Sequence, residues 1–231
     1  LMQVPETEHI IGMELYATTA EGIGGVLRQE PEDFIVKEVS GWEVEDSGKY
    51  LILELTKKDW DTHHIMRDLS RALGISQKRI GFAGTKDKRA VTTQRISIFD
   101  IPLETVEKVH IKDVQLTSIG RYRRAVELGD LLGNQFKITM RDISLEKDEL
   151  KNRMDGITSE ISAMGGVPNF FGIQRFGAIR PVTHLVGEAL VRGSAEEAAM
   201  MYIAASFREE PEETRMARDE VRNTRNFAQG L

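Results

Sequence analysis

One acid stands among cations in residues 81–94, and this stretch is the part of the chain best suited to chemistry. Asp87 follows Lys86 and precedes Lys88 and Arg89. Nearby positive charge favours the ionised carboxylate, and the same cations can collect a polyanion. An ionised carboxylate on a phosphate-binding surface is suited to act as a nucleophile or base on a nucleic acid. The plainer interpretation is a solvated β-turn, where Asp, Lys and Gly are common for local reasons.

A second segment, residues 167–177, combines aromatic rings with amides and a cation. Its distinctive residues are Asn169, Phe170, Phe171, Gln174, Arg175 and Phe176. No Asp or Glu occurs between residues 169 and 184. A ring can stack on an unstacked base while Arg or Asn contacts base edges and phosphates. The alternative is a hydrophobic loop anchored in the core, since Phe is mostly buried for packing reasons.

Two more motifs complete a pattern in which four short segments follow one another along the chain. They are Gly-Thr-Lys-Asp at 84–87, Asn-Phe-Phe-Gly-Ile-Gln-Arg-Phe-Gly at 169–177, Pro-Glu-Asp-Phe-Ile-Val-Lys-Glu at 31–38 and Leu-Gly-Asp-Leu-Leu-Gly-Asn-Gln-Phe-Lys at 128–137. In order and approximate spacing they resemble the TruD-type tRNA pseudouridine synthases. The resemblance covers about residues 20–190 and is far more specific than any single motif.

The resemblance implies an isomerase that detaches a uracil from its ribose, rotates it and rejoins it through C5 to give pseudouridine. The partner would be tRNA, and the family's usual target is uridine 13 in the D-arm region. Neither a cofactor nor a metal would be used. Asp87 matches the catalytic carboxylate, which would either add to the base at C6 or act at the sugar. The sequence leaves both routes open.

The resemblance also assigns residues to substrate binding. Phe171 matches the aromatic that stacks on the target base, and Asn169 matches a polar partner in the same pocket. Arg28 falls where the family carries a basic residue that would fix and ionise Asp87; its alternative is an exposed strand residue. Further residues of the matching motifs expected to contact the nucleotide are Lys86, Gln174 and Arg175. The target nucleotide must be unpaired or flipped out to be reached.

Composition narrows the class of protein. The net charge of −6 is unusual for an RNA-binding protein, but residues 78–95 hold six Lys or Arg and a single acid, so the distribution matters more than the sum. The absence of cysteine excludes thiolate and Cys-zinc chemistry. No apolar run reaches the ~18 residues of a membrane span, and residues 1–5 do not resemble a signal peptide. We therefore expect a cytoplasmic protein without membrane contact. We also expect it to be a monomer.

The pattern of elements predicts an α+β fold with a mostly antiparallel sheet and helices on one face, like that of pseudouridine synthases. Predicted strands cover residues 34–39, 50–55, 78–82, 92–99, 114–119 and 135–140. One helix is predicted to begin at Asp61 or Thr62 and to end at Gly74. Another carries an apolar stripe from Leu150 to Met164, whose Met side chains are expected in the core. Glycines 81 and 84 are expected to supply positive φ beside Asp87.

The domain prediction divides the chain at residue 184. Residues 1–184 would be the first part of a catalytic domain, and residues 185–231 the incomplete helical beginning of the family's inserted domain. Within that part, an Ala-rich helix is predicted over 185–207, and an exposed helix or partly disordered tail over 208–226, where Pro211 suits a helix start. Because family members are considerably longer, we expect a piece of a longer protein.

Two alternative functions remain. A non-catalytic RNA-binding module or RNA chaperone could use the same basic and aromatic residues, because tRNA binding does not require the carboxylate. An unrelated hydrolase with Asp87 as its base would need a second carboxylate, a metal site or a His partner, which the motifs do not supply. The synthase is the interpretation that the motifs favour.

Overall fold

The computed structural model describes residues 4–227. The chain divides into two compact units, Gly24–Leu145 and the combination of Leu1–Ile23 with Glu146–Leu231. This division differs from the predicted boundary at residue 184, so the assignment of catalytic and inserted domains stays a prediction. Residues 1–3, part of the segment compared with a signal peptide, and residues 228–231, part of the predicted inserted domain, lie outside the described residues.

The Gly24–Leu145 unit contains the strands and two helices. The strands are β1 (Val26–Leu27), β2 (Phe34–Val39), β3 (Tyr50–Lys58), β4 (Ile80–Phe82), β5 (Val91–Phe99), β6 (Val114–Tyr122), β7 (Gly133–Ile138) and β8 (Met140–Arg141). The helices are α2 (Thr62–Ala72) and α3 (Leu103–Val106), with short 3-10 turns at Pro31–Asp33 and Gln77–Arg79. A short helix, α1 (Glu6–His9), belongs to the other unit.

A six-stranded sheet forms the frame of this unit, in the order β6-β3-β5-β2-β7. One edge of β5 is shared, because β2 pairs with its first residues and β4 with its last. In the described part of the chain β2 and β5 run parallel and the other pairs are antiparallel, which confirms the predicted α+β class with a mostly antiparallel sheet. Consecutive β6 and β7 lie at opposite edges.

The core of the unit lies between β3 and α2. Leu51, Leu53 and Leu55 alternate along β3 and pack in one cluster with Ile65 and Leu69 of α2, because strand side chains repeat every two residues. Helix α2 begins as predicted. The Asp61 side chain accepts a hydrogen bond from the backbone N–H of His64, and the helix ends just before Gly74, whose φ is +65°.

The second unit is helical. Besides α1 it contains α4 (Lys147–Ala163), α5 (Thr183–Val191), α6 (Ala195–Ala204), α7 (Glu212–Thr224) and a 3-10 turn at Ile173–Arg175. The single helix predicted over 185–207 is two helices, separated where Gly193 adopts a φ of +80°. Helix α7 begins directly after Pro211, so this part of the chain is a helix and not an irregular tail. None of the helices in residues 4–227 is long and apolar enough to cross a membrane.

The expectation that the Met residues of α4 belong to the core is wrong. No residue of α4 is buried, and Met154 and Met164 are each about half exposed. Polar contacts join α4 to the N-terminal segment, since Glu160 accepts hydrogen bonds from the N–H and hydroxyl of Thr19, and Arg153 pairs with Glu21. An apolar stripe indicates which side of a helix could be covered, but not which segment covers it.

Truncation of a core residue should show the cost of the β3–α2 packing. Leu53→Ala is expected to lower the free energy of unfolding by about 2–5 kcal/mol, because Leu53 is fully buried and its removal leaves a cavity. Leu128→Ala, at an exposed leucine, should change it by less than about 0.5 kcal/mol. Urea unfolding of both variants measures the difference, and equal effects would contradict the proposed core.

Candidate active site

Asp87 lies on the irregular loop between β4 and β5. The two glycines beside it do not have the positive φ that the sequence predicted. Gly81 lies within β4 instead, and a Cβ on it would come within 2.3 Å of the Val126 carbonyl oxygen. A close approach of the backbone, rather than a turn, therefore accounts for Gly81. Gly84 begins the loop, and its carbonyl accepts a hydrogen bond from the Gln94 amide at 3.1 Å.

The loop backbone is held from beneath by side chains of the sheet and of α2. The Thr62 hydroxyl accepts from the Lys86 N–H at 2.9 Å and donates to the Lys86 carbonyl at 3.2 Å. The Lys57 ammonium donates to the Asp87 carbonyl at 2.8 Å. Together with the Gln94 contact, these bonds fix three loop residues to β3, α2 and β5 without any regular secondary structure in the loop.

Lys86 faces inward. Its ammonium lies 2.7 Å from the Glu38 carboxylate, and the two side chains are only 5% and 1% exposed. The direction follows from the neighbouring elements, because Thr62 holds the Lys86 backbone and Glu38 occupies the buried face of β2. This placement differs from the sequence interpretation, in which Lys86 belonged to the surface cations. The ion pair joins the Asp87 loop to β2, and a contact of Lys86 with substrate stays a prediction.

The structure brings Arg28 and Asp87 together. Nη2 of Arg28 donates to Oδ1 of Asp87 at 2.9 Å, and both side chains remain partly exposed. The Arg28 guanidinium carbon also lies 3.7 Å from the centre of the Phe34 ring, a cation–π contact that fixes the plane of the group. Arg28 has a φ of +56°, a left-handed conformation that costs a non-glycine residue about 1–3 kcal/mol.

A strand pair and an ion pair fix the chain on either side of Arg28. Strand β1, which ends just before Arg28, pairs with β8. Arg141 of β8 forms an ion pair with the buried Asp33 at 2.8 Å, and Asp33 also accepts a hydrogen bond from the Glu30 N–H. The Arg141 hydrogen bonds lower the pKa of Asp33. Arg28 therefore projects toward Asp87 from a segment that is fixed on both sides.

Lys57 is a buried residue of the site that the sequence patterns did not single out. This residue continues the inward row of Leu51, Leu53 and Leu55 and is fully buried, with a second hydrogen bond to the Trp60 carbonyl at 2.6 Å. Burial lowers the pKa of Lys57 from 10.5 to about 8. A lysine at the inward register of a strand was the available signal, but the predicted strand ended at residue 55.

An open groove of about 870 Å³ runs beside the loop. Its lining includes His63, Phe82, Gly84, Thr85, Val126 and Leu128. The His63 and Phe82 rings meet edge to face with their centres 5.8 Å apart. Within residues 4–227, no group of three or more His, Asp or Glu is arranged to hold a metal ion. The groove offers a planar or apolar group a place next to the Asp87 loop.

The aromatic segment belongs to the other unit and is described within it. Phe171 is 75% exposed, and the Arg175 guanidinium carbon lies 5.9 Å from the centre of its ring. Together with Gln174, they line an open pocket with a volume of about 390 Å³. Asn169 is also exposed. The exposure of Phe171 does not fit a loop anchored by this ring in the core, and it leaves the ring face accessible for stacking.

Comparisons with known proteins agree with these features. A family profile described as "tRNA pseudouridine synthase D (TruD)" matches residues 10–231. A Methanosarcina barkeri protein named "Probable tRNA pseudouridine synthase D" is 59% identical over 230 residues, covering 100% of this chain and 52% of the relative. An Archaeoglobus fulgidus protein of the same name is 45% identical over 227 residues, covering 97% of this chain and 53% of the relative.

A solved structure extends the similarity to three dimensions. The crystal structure of the Methanosarcina mazei relative superposes with a TM-score of 0.92 at 60% identity, over 100% of this chain and 53% of that one. The chain thus spans about half the length of the relatives that it matches. Because the family profile covers nearly all of its residues, the chain belongs to the TruD family of tRNA pseudouridine synthases.

Proposed function

We propose that the protein containing this sequence converts a uridine of tRNA to pseudouridine, with Asp87 as the catalytic carboxylate and uridine 13 as the expected target. The observation that carries the proposal is the 2.9 Å contact of Arg28 with Asp87 on a loop whose backbone is fixed from beneath. The names of the relatives at 59% and 45% identity support the same reaction.

Arg28 prepares Asp87 for the reaction in two ways. Its hydrogen bond to Oδ1 restrains the direction of the carboxylate, and its positive charge lies beside the group that would react. That bond goes to Oδ1, and we assign Oδ2 to the reaction with the substrate carbon. During the isomerisation the N1–C1′ bond breaks, a C5–C1′ bond forms, C5 loses a proton and N1 gains one. The carboxylate could act at C6 of the base or at the sugar.

The exposed aromatic segment would bind the target base. Phe171 presents its ring face for stacking, which offsets part of the stacking energy lost when the nucleotide leaves its helix. Asn169, Gln174 and Arg175 supply amide and guanidinium groups for base edges and phosphates. We assign Lys86 to holding the Asp87 loop through Glu38, because its ammonium faces that carboxylate.

The remaining assignments follow from the reaction. We propose that neither a cofactor nor a metal takes part, as the family resemblance implies. We propose tRNA as the partner and the cytoplasm as the place of the activity. We propose that the protein acts as a monomer.

Removal of the carboxylate tests the proposal directly. Asp87→Asn keeps the side-chain volume but removes the charge, and it should lower pseudouridine formation on unmodified tRNA on the order of 10³-fold or more. The measurement uses the full-length protein and mass spectrometry of the tRNA, with binding affinity determined in parallel. Asp68→Asn, at an acid that pairs with Arg71 on α2, is the matched control and should keep full activity. Binding without product from the unsubstituted protein would favour the RNA-binding module.

Substitution of Arg28 separates its charge from its packing. Arg28→Met keeps an unbranched stem against Phe34 but removes the ion pair, so the rate at saturating tRNA should fall about 10- to 100-fold. Arg28→Lys retains the charge and should lose less. Thermal unfolding of both variants controls for folding. A full rate with Arg28→Met would contradict the role of the pair.

The stacking role of Phe171 predicts a loss of turnover without loss of the fold. Phe171→Ala should reduce turnover about 5- to 100-fold, since stacking on an aromatic ring contributes about 1–3 kcal/mol per base. Tyr202→Ala removes another exposed aromatic ring in the same unit and should leave turnover unchanged. Circular dichroism monitors the fold, and collapse of Phe171→Ala would restore the interpretation of this ring as a packing residue.

A further inference from the structure

The proposed function assigns no role of its own to the buried side chain of Lys57. Lys57 is fully buried, which is rare for lysine. Its burial is costly because the protein interior disfavours the charged amine. The three inward residues that precede it on β3 are leucines, and an apolar residue at the same register would extend their cluster. A lysine at this position therefore calls for an explanation beyond packing.

The contacts of Lys57 show what the side chain holds. Its ammonium donates to the carbonyl of Trp60 at 2.6 Å and to the carbonyl of Asp87 at 2.8 Å. The Asp87 carbonyl carbon is bonded to the same Cα that carries the carboxylate side chain. A displacement of this carbonyl would therefore rotate the carboxylate away from Arg28.

The charges around Lys57 lie on the two segments that pack against it. The turn after β3 contributes Asp59 and Asp61, and the loop after β4 contributes Lys86 and Asp87. The three carboxylates favour the protonated amine, whereas Lys86 opposes it. The ammonium thus stands between the turn that starts α2 and the loop that carries the carboxylate.

We propose that Lys57 is a positioning residue for pseudouridine formation, whose protonated ammonium holds the backbone of Asp87 so that the carboxylate meets Arg28. This inference rests on the proposed function. Lys57 contacts the peptide backbone rather than reacting atoms, so its effect is on the rate at saturating tRNA and not on tRNA affinity. A charged donor holds a carbonyl more strongly than a neutral amine does.

The role has a consequence for pH. Lys57 loses its proton near pH 8, so the rate at saturating tRNA should fall as the pH rises through this value. Loss of folding would not explain that fall. The pKa of Lys57 is lower in the folded protein than the ordinary 10.5, so its burial penalty is full below pH 8 and fades as the pH rises toward 10.5. Its contribution to stability therefore improves while the rate declines.

Single-turnover rates on unmodified tRNA from pH 6.5 to 9.5, with the full-length protein, test the role. The unsubstituted protein should show a fall in rate near pH 8. Lys57→Met, which keeps an unbranched side chain one atom shorter, should be about 10- to 100-fold slower at neutral pH, with its tRNA dissociation constant within about twofold. Its rate should lack the fall near pH 8. Lys58→Met is the matched control, because Lys58 points to the other face and pairs with Glu32 at the surface.

A second variant keeps the test decisive if Lys57→Met does not fold. Asp61→Asn retains a side chain suited to cap α2 but removes a charge that raises the pKa of Lys57, so the fall in rate should move to lower pH. A flat profile of the unsubstituted protein, a fall that Asp61→Asn does not move, or an unimpaired Lys57→Met overturns the inference alone. An unsubstituted protein that forms no pseudouridine at any pH overturns the proposed function as well.

Discussion

An irregular loop that carries a reactive carboxylate has no ladder of backbone hydrogen bonds to fix it, so it depends on side chains that reach it from neighbouring elements. In this chain Lys57, Thr62 and Gln94 perform that task from β3, α2 and β5. The central pairing of β3 with β5 sets the distances among these elements. The packing of Leu51, Leu53 and Leu55 against α2 therefore supports the geometry of Asp87.

The electrostatics of the loop follow from the same arrangement. Two lysine side chains at the loop are buried, and both have oxygen partners. Lys86 pairs with the carboxylate of Glu38, and Lys57 donates hydrogen bonds to two backbone carbonyls. A buried ammonium without such partners would be strongly unfavourable. Arg28 adds a third cation, at the surface, on the carboxylate itself. Residues 78–95, which include Asp87, hold six Lys or Arg and a single acid, although the whole chain carries a net charge of −6.

The residues assigned to catalysis and to base binding have different supports. Arg28 and Asp87 project from a sheet-based unit in which their backbones are clamped. Phe171 and Arg175 lie on a short irregular stretch of the helical unit, where the rings are exposed and the polar groups face solvent. A carboxylate needs a fixed direction to react, whereas a stacking ring tolerates small displacements because its contact is spread over a face.

Local patterns in the sequence predicted many of the elements and singled out candidate site residues. The strands predicted over 34–39 and 92–99 correspond to β2 and β5, and Asp61 predicted the start of α2. The motif carrying Asp87 could be recognised without coordinates, and Arg28 was assigned from its place three residues before the Pro31 motif. These features depend on neighbours within a few residues, which the sequence displays directly.

Tertiary structure decided the rest, because each of the remaining features depends on contacts between distant parts of the chain. The inward direction of Lys86 is set by Glu38 on β2, and the role of Lys57 depends on a loop that follows α2. Gly81 reflects the approach of Val126, not a turn. The apolar stripe of α4 showed a possible core face, yet only the packing of the folded chain decides whether such a face is covered.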